Sequence, residues 1–318
     1  MRYRTLGRTG LKVSEISFGA VEIGLAYGIP VEGKIEKPSE AEAHAVLNAA
    51  LDMGVNLIDT ARAYGDSEEV IGRALKGRRG EFILATKTMH YGDKGLSVAE
   101  QKQAVRDSIE ASLRALQTDV IDVLQVHNIT AEVIARGDVL EVLQEAQRAG
   151  KVRFLGGSVY GVEDPLAVIR DGHYDVLQVA YNMLDHRLDA EVLPLAAQKG
   201  VAILTRSVLL KGALTPRYLY LADNLAELKS VIARMEQLVA GECESLAEAA
   251  FRYVLSNPAV SSALVGTSKV KNLQRSADYA AKGPLSPALL AAIRAIEIQD
   301  VNQLNPATWG FKEKYSDK

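Results

Sequence analysis

Four side chains with proton chemistry stand where apolar runs give out. Asp59 closes NLID, Tyr64 follows five residues later, Lys87 closes ILATK and His127 closes DVLQVH. Each alone has an ordinary reading: a turn former, a packed phenol, a solvated cation, a structural imidazole. Together they form a coherent set. A free phenol loses its proton only near pH ~10. A neighbouring ammonium favours the phenolate, and a carboxylate holds that ammonium in place. In this scheme Lys87 tunes Tyr64 and Asp59 anchors Lys87. Tyr64 then gives a proton to a carbonyl oxygen or takes one from an alcohol, and His127 orients the same oxygen. Such a group interconverts carbonyls and alcohols and needs a hydride source. No acylation nucleophile with its base, no metal cluster and no clear carboxylate pair accompanies it.

The elements that must position these residues are regular. Residues 1–15 alternate, turn at Arg8-Thr9-Gly10 and alternate again, which predicts a hairpin. Eight β-rich runs follow: 15–19, 55–59, 82–87, 120–127, 152–158, 175–182, 201–207 and 261–266. Helical stretches separate them. Ser39 with Glu42, Asp66 with Glu69, Ser97 with Glu100, and Ser245 with Glu248 have the spacing of capping boxes. Gly54, Gly150 and Gly200 each stand between a helix and a strand, where a left-handed terminator belongs. Glu68 and Glu69 fit the first turn of the helix after Tyr64, where the dipole favours acids.

Eight strand–helix units over residues 1–318, without a linker rich in Pro, Gly or Ser, predict a single (β/α)8 barrel domain with an N-terminal β-hairpin and an extra C-terminal helix and tail. The surplus length falls in the hairpin, in residues 20–38 and between the last two strands. A doubly wound sheet is the alternative, but no G-x-G-x-x-G follows the first strand. In a barrel, chemistry collects where strands end. The substrate loops then comprise 20–38, 128–138, 208–222 and 299–318, with Tyr27, Tyr218, Tyr220 and Trp309.

Composition narrows the function. The chain has 318 residues, is 48% hydrophobic and carries a net charge of −3. That gives no electrostatic footprint for nucleic acid or an anionic membrane. A single cysteine, Cys243, allows no internal disulfide and no paired-cysteine metal site. The first residues have no apolar core of a signal peptide, and no apolar stretch approaches the ~20 residues that span a bilayer. A cytoplasmic protein is expected.

Over essentially its whole length the chain resembles the aldo-keto reductases. The motifs that carry the likeness are YRTLGRTGLKVSEISFGA, NLIDTARAYGDSEEVIGRAL, ILATK, DVLQVH, GGS, LQVAYNMLD, TRSVLLKGAL and LVGTSKVKNLQRS. The resemblance implies that Asp59, Tyr64, Lys87 and His127 are the catalytic tetrad. It implies that Ser158 and Gln178 hold a nicotinamide carboxamide, although Val159 stands where many members carry Asn. Arg206 takes the place of a nicotinamide-stacking aromatic residue. The resemblance implies further that Ser207, Leu209 and Gly212 pass the pyrophosphate, that Gly266, Thr267, Ser268 and Lys269 reach the adenosine phosphate, and that Arg275 and Ser276 contact the adenine. A strand ending at Gly266 with a helix starting near Ser268 agrees with an anion site.

The cofactor expectation turns on Asn272, which replaces an Arg of many NADP-binding members, and on Lys269 and Arg275, which supply positive charge. NADP(H) is expected to be preferred, with NAD(H) also usable. The substrate is a small carbonyl compound, alcohol or sugar; direction and oligomeric state are not legible. Two alternatives stay open at this point: a cofactor-binding regulatory subunit with little turnover, and a non-redox barrel lyase or isomerase.

Overall fold

All eight apolar runs become parallel strands. The computed structural model describes residues 1–88 and 95–310. Strands β1 (Tyr3–Thr5) and β2 (Lys12–Ser14) pair as the expected antiparallel hairpin. The barrel strands are β3 (Ile16–Gly19), β4 (Leu57–Asp59), β5 (Ile83–Lys87), β6 (Ile121–Val126), β7 (Val152–Val159), β8 (Val176–Ala180), β9 (Ala202–Arg206) and β10 (Val260–Gly266). Each pairs with the next in sequence, and β10 pairs with β3, so the sheet closes. Closure removes the edges that a doubly wound sheet would keep.

Side chains alternate across each strand, which sorts the barrel into two layers. Leu57, Ile83, Ala85, Val123, Val176, Ala202, Leu204 and Leu264 fill the interior. The alternate positions, among them Ile58, Leu84, Leu124, Leu155, Leu177 and Ile203, pack outward against the helices. Leu6 and Val13 of the hairpin join the interior cluster, so the hairpin closes the barrel floor. Burying one such side chain contributes about 1.5–3 kcal/mol. The hairpin seats tightly because residue 7 is glycine. Gly7 has φ +49°, any Cβ there would overlap the backbone at Gly200 and Ala202, and the Arg8 amide donates to the Gly200 carbonyl at 2.6 Å.

The helix signals hold in most places. Ser39 and Ser97 form full capping boxes with Glu42 and Glu100. Gly54, Gly150 and Gly200 all adopt positive φ. Two boxes differ. Asp66 makes no cap hydrogen bond and pairs instead with Lys37. Ser245 accepts from the Glu248 amide, but the Glu248 carboxylate turns to Arg252 and Lys282. At Asp66 an ion pair takes the place of a cap worth about 1 kcal/mol, and at Ser245 the cap forms while ion pairs take only the return bond of the box.

The surplus lies where expected. Residues 20–38 include a four-residue helix, Val21–Gly24, and the span between β9 and β10 holds helices Ala226–Val239 and Leu246–Ser256. Residues 128–138, expected as a loop, contain the helix Ala131–Arg136. Helix Pro287–Arg294 follows the barrel; the end of the expected tail, residues 311–318, lies outside the described residues. Among the described residues no helix is long and apolar enough to cross a membrane.

Candidate active site

The inward alternation that fills the barrel with apolar side chains continues to its rim, where the residues turn polar. Two residues beyond Leu57, Ala85, Val123, Val176 and Leu204 stand Asp59, Lys87, Gln125, Gln178 and Arg206, and His127 follows Gln125 by the same step. Phe154 packs on the interior cluster, so Ser158, four residues on, shares its face. One pleat rule thus delivers side chains from six neighbouring strands to one place.

Lys87 is completely buried and its Nζ donates to Asp59 Oδ2 at 2.6 Å and to the Thr60 carbonyl at 2.9 Å. Burial draws the Lys87 pKa below the lysine range, and the Asp59 charge works against that fall; Arg206 adds to the fall and Glu68 opposes it. The other carboxylate oxygen, Asp59 Oδ1, accepts from Gln125 Nε2 at 2.8 Å and from Gln178 Nε2 at 2.7 Å. The Lys87 ammonium lies 4.9 Å from the centre of the Tyr64 ring. The His127 ring meets Tyr64 edge-on, with centroids 5.9 Å apart at 87°. All four residues singled out by their chemistry therefore meet.

Tyr64 is fixed from its backbone. The Thr60 amide donates to the Ala85 carbonyl at 2.9 Å, Thr60 Oγ1 donates to Ser67 Oγ at 2.9 Å, and Ser67 Oγ donates to the Ala20 carbonyl at 3.0 Å. The helix Val21–Gly24 presses on this turn. Any Cβ at Gly24 would overlap the Tyr64 carbonyl oxygen, and Gly65, at φ +59°, turns under it. Glu68 is buried rather than poised at an exposed helix start. It accepts from Thr86 Oγ1 at 2.5 Å and pairs with Arg62, tying the turn to the strand that carries Lys87.

The residues expected at a cofactor fall around the same rim. Ser158 pairs in register with Gln178, and both are buried. The Arg206 guanidinium stacks 4.2 Å above the Tyr160 ring and donates to the Val159 carbonyl at 3.0 Å. Ser207, Leu210, Lys211 and Gly212 all have positive φ, so the chain past β9 is strained, while Leu209 is half-buried between them. Beyond β10, helix Val270–Ala281 starts two residues later than expected. Lys269 is its N-cap and supplies no side-chain cap; Thr267 Oγ1 accepts from the Lys269 amide at 3.1 Å and from Asn272 Nδ2 at 3.3 Å. A long helix whose first turn lacks a cap offers amides to an anion. Ser268 is half-exposed in this loop and Lys269 and Arg275 are exposed. Ser276 is turned inward, its hydroxyl donating to the Asn272 carbonyl at 3.0 Å. The amides and side-chain donors at residues 266–271 suit an anion such as one phosphate of a dinucleotide.

Glu22 was not singled out by sequence. It lies against Gly266, its Oε1 3.2 Å from where a Cβ of Gly266 would stand. Burial pushes its carboxyl up to about 7, with Arg217 across the mouth opposing the rise. Gln125 was also missed, and a signal for it exists: the pentapeptide DVLQV occurs at 122–126 and again at 175–179. Of the aromatic residues expected at the pocket, Tyr218 is buried and donates to Glu236 at 2.9 Å, and Trp309 is buried and donates to the Gln303 carbonyl at 2.9 Å. Tyr220 is exposed, and Tyr27 lies 5.1 Å beneath the Lys211 ammonium. Among the described residues no group of three His, Cys, Asp or Glu side chains is placed to hold a metal ion.

Comparison with known proteins gives a consistent picture. A sequence model described as the aldo/keto reductase family matches residues 15–298. "Aldo-keto reductase YhdN" of Bacillus subtilis is 32% identical over 298 residues, covering 86% of this chain and 87% of the relative. "L-galactose dehydrogenase" of Arabidopsis thaliana is 33% identical over 288 residues, covering 85% of each. Among solved structures, an aldo-keto reductase from Bacillus halodurans in its holo form, AKR11C1, superposes with a TM-score of 0.76 at 26% identity, covering 94% of this chain and 97% of that one.

Proposed function

The chain belongs to the aldo/keto reductase family, and from that premise we propose that it interconverts a small carbonyl compound, aldehyde, ketone or sugar, with its alcohol, using Tyr64 as the general acid and base. Membership implies an oxidoreductase dependent on a nicotinamide cofactor. The observation that carries the finer reading is the buried chain Asp59–Lys87 at 2.6 Å with the Lys87 ammonium 4.9 Å from the Tyr64 ring.

The bound nicotinamide supplies or accepts the hydride. Every other task falls to the chain. Tyr64 donates its hydroxyl proton to the carbonyl oxygen in reduction and takes it back in oxidation. The Lys87 ammonium favours the phenolate left behind, and Asp59 keeps that ammonium in place. His127 orients the oxygen opposite Tyr64. Ser158 and Gln178 hold the carboxamide, Arg206 supports the ring, and Ser207, Leu209 and Gly212 follow the pyrophosphate. Gly266, Thr267, Ser268 and Lys269 take the adenosine phosphate, with Arg275 and Ser276 towards the adenine. NADP(H) is preferred and NAD(H) is used. A sugar-like substrate is favoured by the likeness to a plant protein named for L-galactose. The net charge of −3 and lone cysteine suit a cytoplasmic protein without nucleic-acid partners.

The test is a panel of aldehydes, ketones and sugars with each cofactor, following the near-ultraviolet absorbance of the reduced nicotinamide. Turnover of at least one carbonyl–alcohol pair is expected. Cofactor binding with no turnover across the panel would favour a regulatory subunit, and turnover without change in the cofactor would favour a lyase or isomerase.

A further inference from the structure

The two DVLQV segments place two identical amides on one carboxylate oxygen. Gln125 on β6 and Gln178 on β8 are fully buried, and their Nε2 atoms reach Asp59 Oδ1 at 2.8 and 2.7 Å. We propose that Gln125 is a positioning residue for proton transfer: it fixes the Asp59 carboxylate independently of Gln178, so that Oδ2 stays on Lys87 while Gln178 serves the ligand. The inference rests on the proposed carbonyl–alcohol chemistry and extends it to a residue outside the tetrad.

Two observations carry it. First, Asp59 Oδ2 and Oδ1 have separate partners, Lys87 on one side and the two amides on the other. A carboxylate held at both oxygens cannot rotate away from its cation. Second, the barrel makes room for Gln125 specifically. Gly156 is its register partner, and a Cβ on Gly156 would stand 2.9 Å from Gln125 Cγ and 2.9 Å from the Val176 carbonyl. The first glycine of GGS thus clears the space through which the amide passes.

Gln125 and Gln178 differ in what else they can reach. Gln178 stands opposite Ser158 in the sheet, at the residues proposed to hold the carboxamide. Gln125 lies lower, opposite Gly156, and its Nε2 donates to Asp59 Oδ1. When a ligand engages Gln178, Gln125 is the tie on Asp59 Oδ1 that stays unchanged.

The experiment uses the full chain with Gln125→Met, which keeps the volume and removes the donor. The deciding readout needs no cofactor: the titration of Lys87 Nζ, followed by NMR of nitrogen-labelled lysine. In Gln125→Met the Asp59 Oδ1 atom keeps only the Gln178 amide, so Asp59 is held less firmly on the buried ammonium and the Lys87 midpoint should fall relative to wild type. An unchanged or raised midpoint overturns the inference. With cofactor and substrate, kcat should drop about tenfold to a hundredfold, as small displacements of reacting groups do, while cofactor affinity stays within about twofold by calorimetry, since the phosphate and carboxamide partners are untouched. Gln178→Met should lose cofactor affinity as well. If Gln125→Met fails to fold, Gln125→Asn, which keeps an amide but is one methylene too short to reach Asp59 Oδ1, is read instead: the Lys87 midpoint should again fall, and an unchanged or raised midpoint again overturns the inference. A wild-type protein that binds neither nicotinamide cofactor would defeat the proposed function and leave the Lys87 readout intact.

Discussion

The ammonium of Lys87 rests 2.6 Å from Oδ2 of Asp59 with neither side chain open to solvent. Such a pair is worth little for stability as a whole, because each ion lost its water, yet removing one partner leaves an uncompensated charge and costs about 3–5 kcal/mol. Asp59→Asn should therefore lower the melting temperature as well as turnover. Both losses are measurable on one preparation, and a variant with full stability and full activity would contradict the pairing.

Tyr64→Phe removes one hydroxyl and leaves the ring between Lys87 and His127. Cofactor binding should survive. Turnover should fall about 10²–10⁴-fold, the usual contribution of a positioned general acid. Near-normal kcat in this variant would remove Tyr64 from the mechanism.

Lys87→Met takes away the ammonium 4.9 Å from the Tyr64 ring. Residual alcohol oxidation should then need a more alkaline pH, because the ammonium that favours the phenolate is gone. The pH profile of a folded, active variant decides this; an unmoved profile ends the proposed coupling.

Glu22 should give cofactor affinity a pH dependence. Its carboxyl, pushed up to about 7 by burial, lies against Gly266 at the loop proposed for phosphate. Charge from Arg217 opposes the shift. An anionic ligand beside Glu22 raises its pKa further, so binding takes up a proton. Affinity should be full below about pH 7 and weaken as pH rises above it. Glu22→Gln should flatten that dependence in calorimetric titrations. A wild-type affinity that is level from pH ~6 to ~8 would show that Glu22 does not face the bound anion.

Lys269 is exposed at the N-cap of Val270–Ala281, where a lysine acts as a point charge for a 2′-phosphate. Wild type should bind NADP(H) more tightly than NAD(H), and Lys269→Ala should erode the difference. Equal affinities in wild type, or discrimination untouched in the variant, would mean that the phosphate is read elsewhere.

Much of this arrangement could be read from residues alone, for a physical reason. Asp59, Lys87 and His127 interrupt or end apolar runs, and a charge at the end of a buried strand is conspicuous. Gln125 and Gln178 sit inside apolar runs as neutral amides, so periodicity marks their face without marking their role. The repeated DVLQV was the available clue to Gln125. Glu68 looked like a helix-dipole acid because its partners, Thr86 and Arg62, come from other segments. Glu22 and the strained turn at Ser207 and Leu210–Gly212 depend on how loops pack at the mouth, and no local pattern encodes that. The cap at Asp66 failed for the same reason: Lys37 arrives from a distant loop.

The hairpin has a consequence for traffic. With Leu6 and Val13 sealed among the interior side chains, apolar packing closes the hairpin end of the barrel among the described residues. Lys87 and Asp59 stand at the other end, where their strands finish. In the proposed chemistry a ligand seated at the rim would close that other end over Tyr64, so the proton that Tyr64 gives up would be a stored quantity, drawn once and replenished between turnovers.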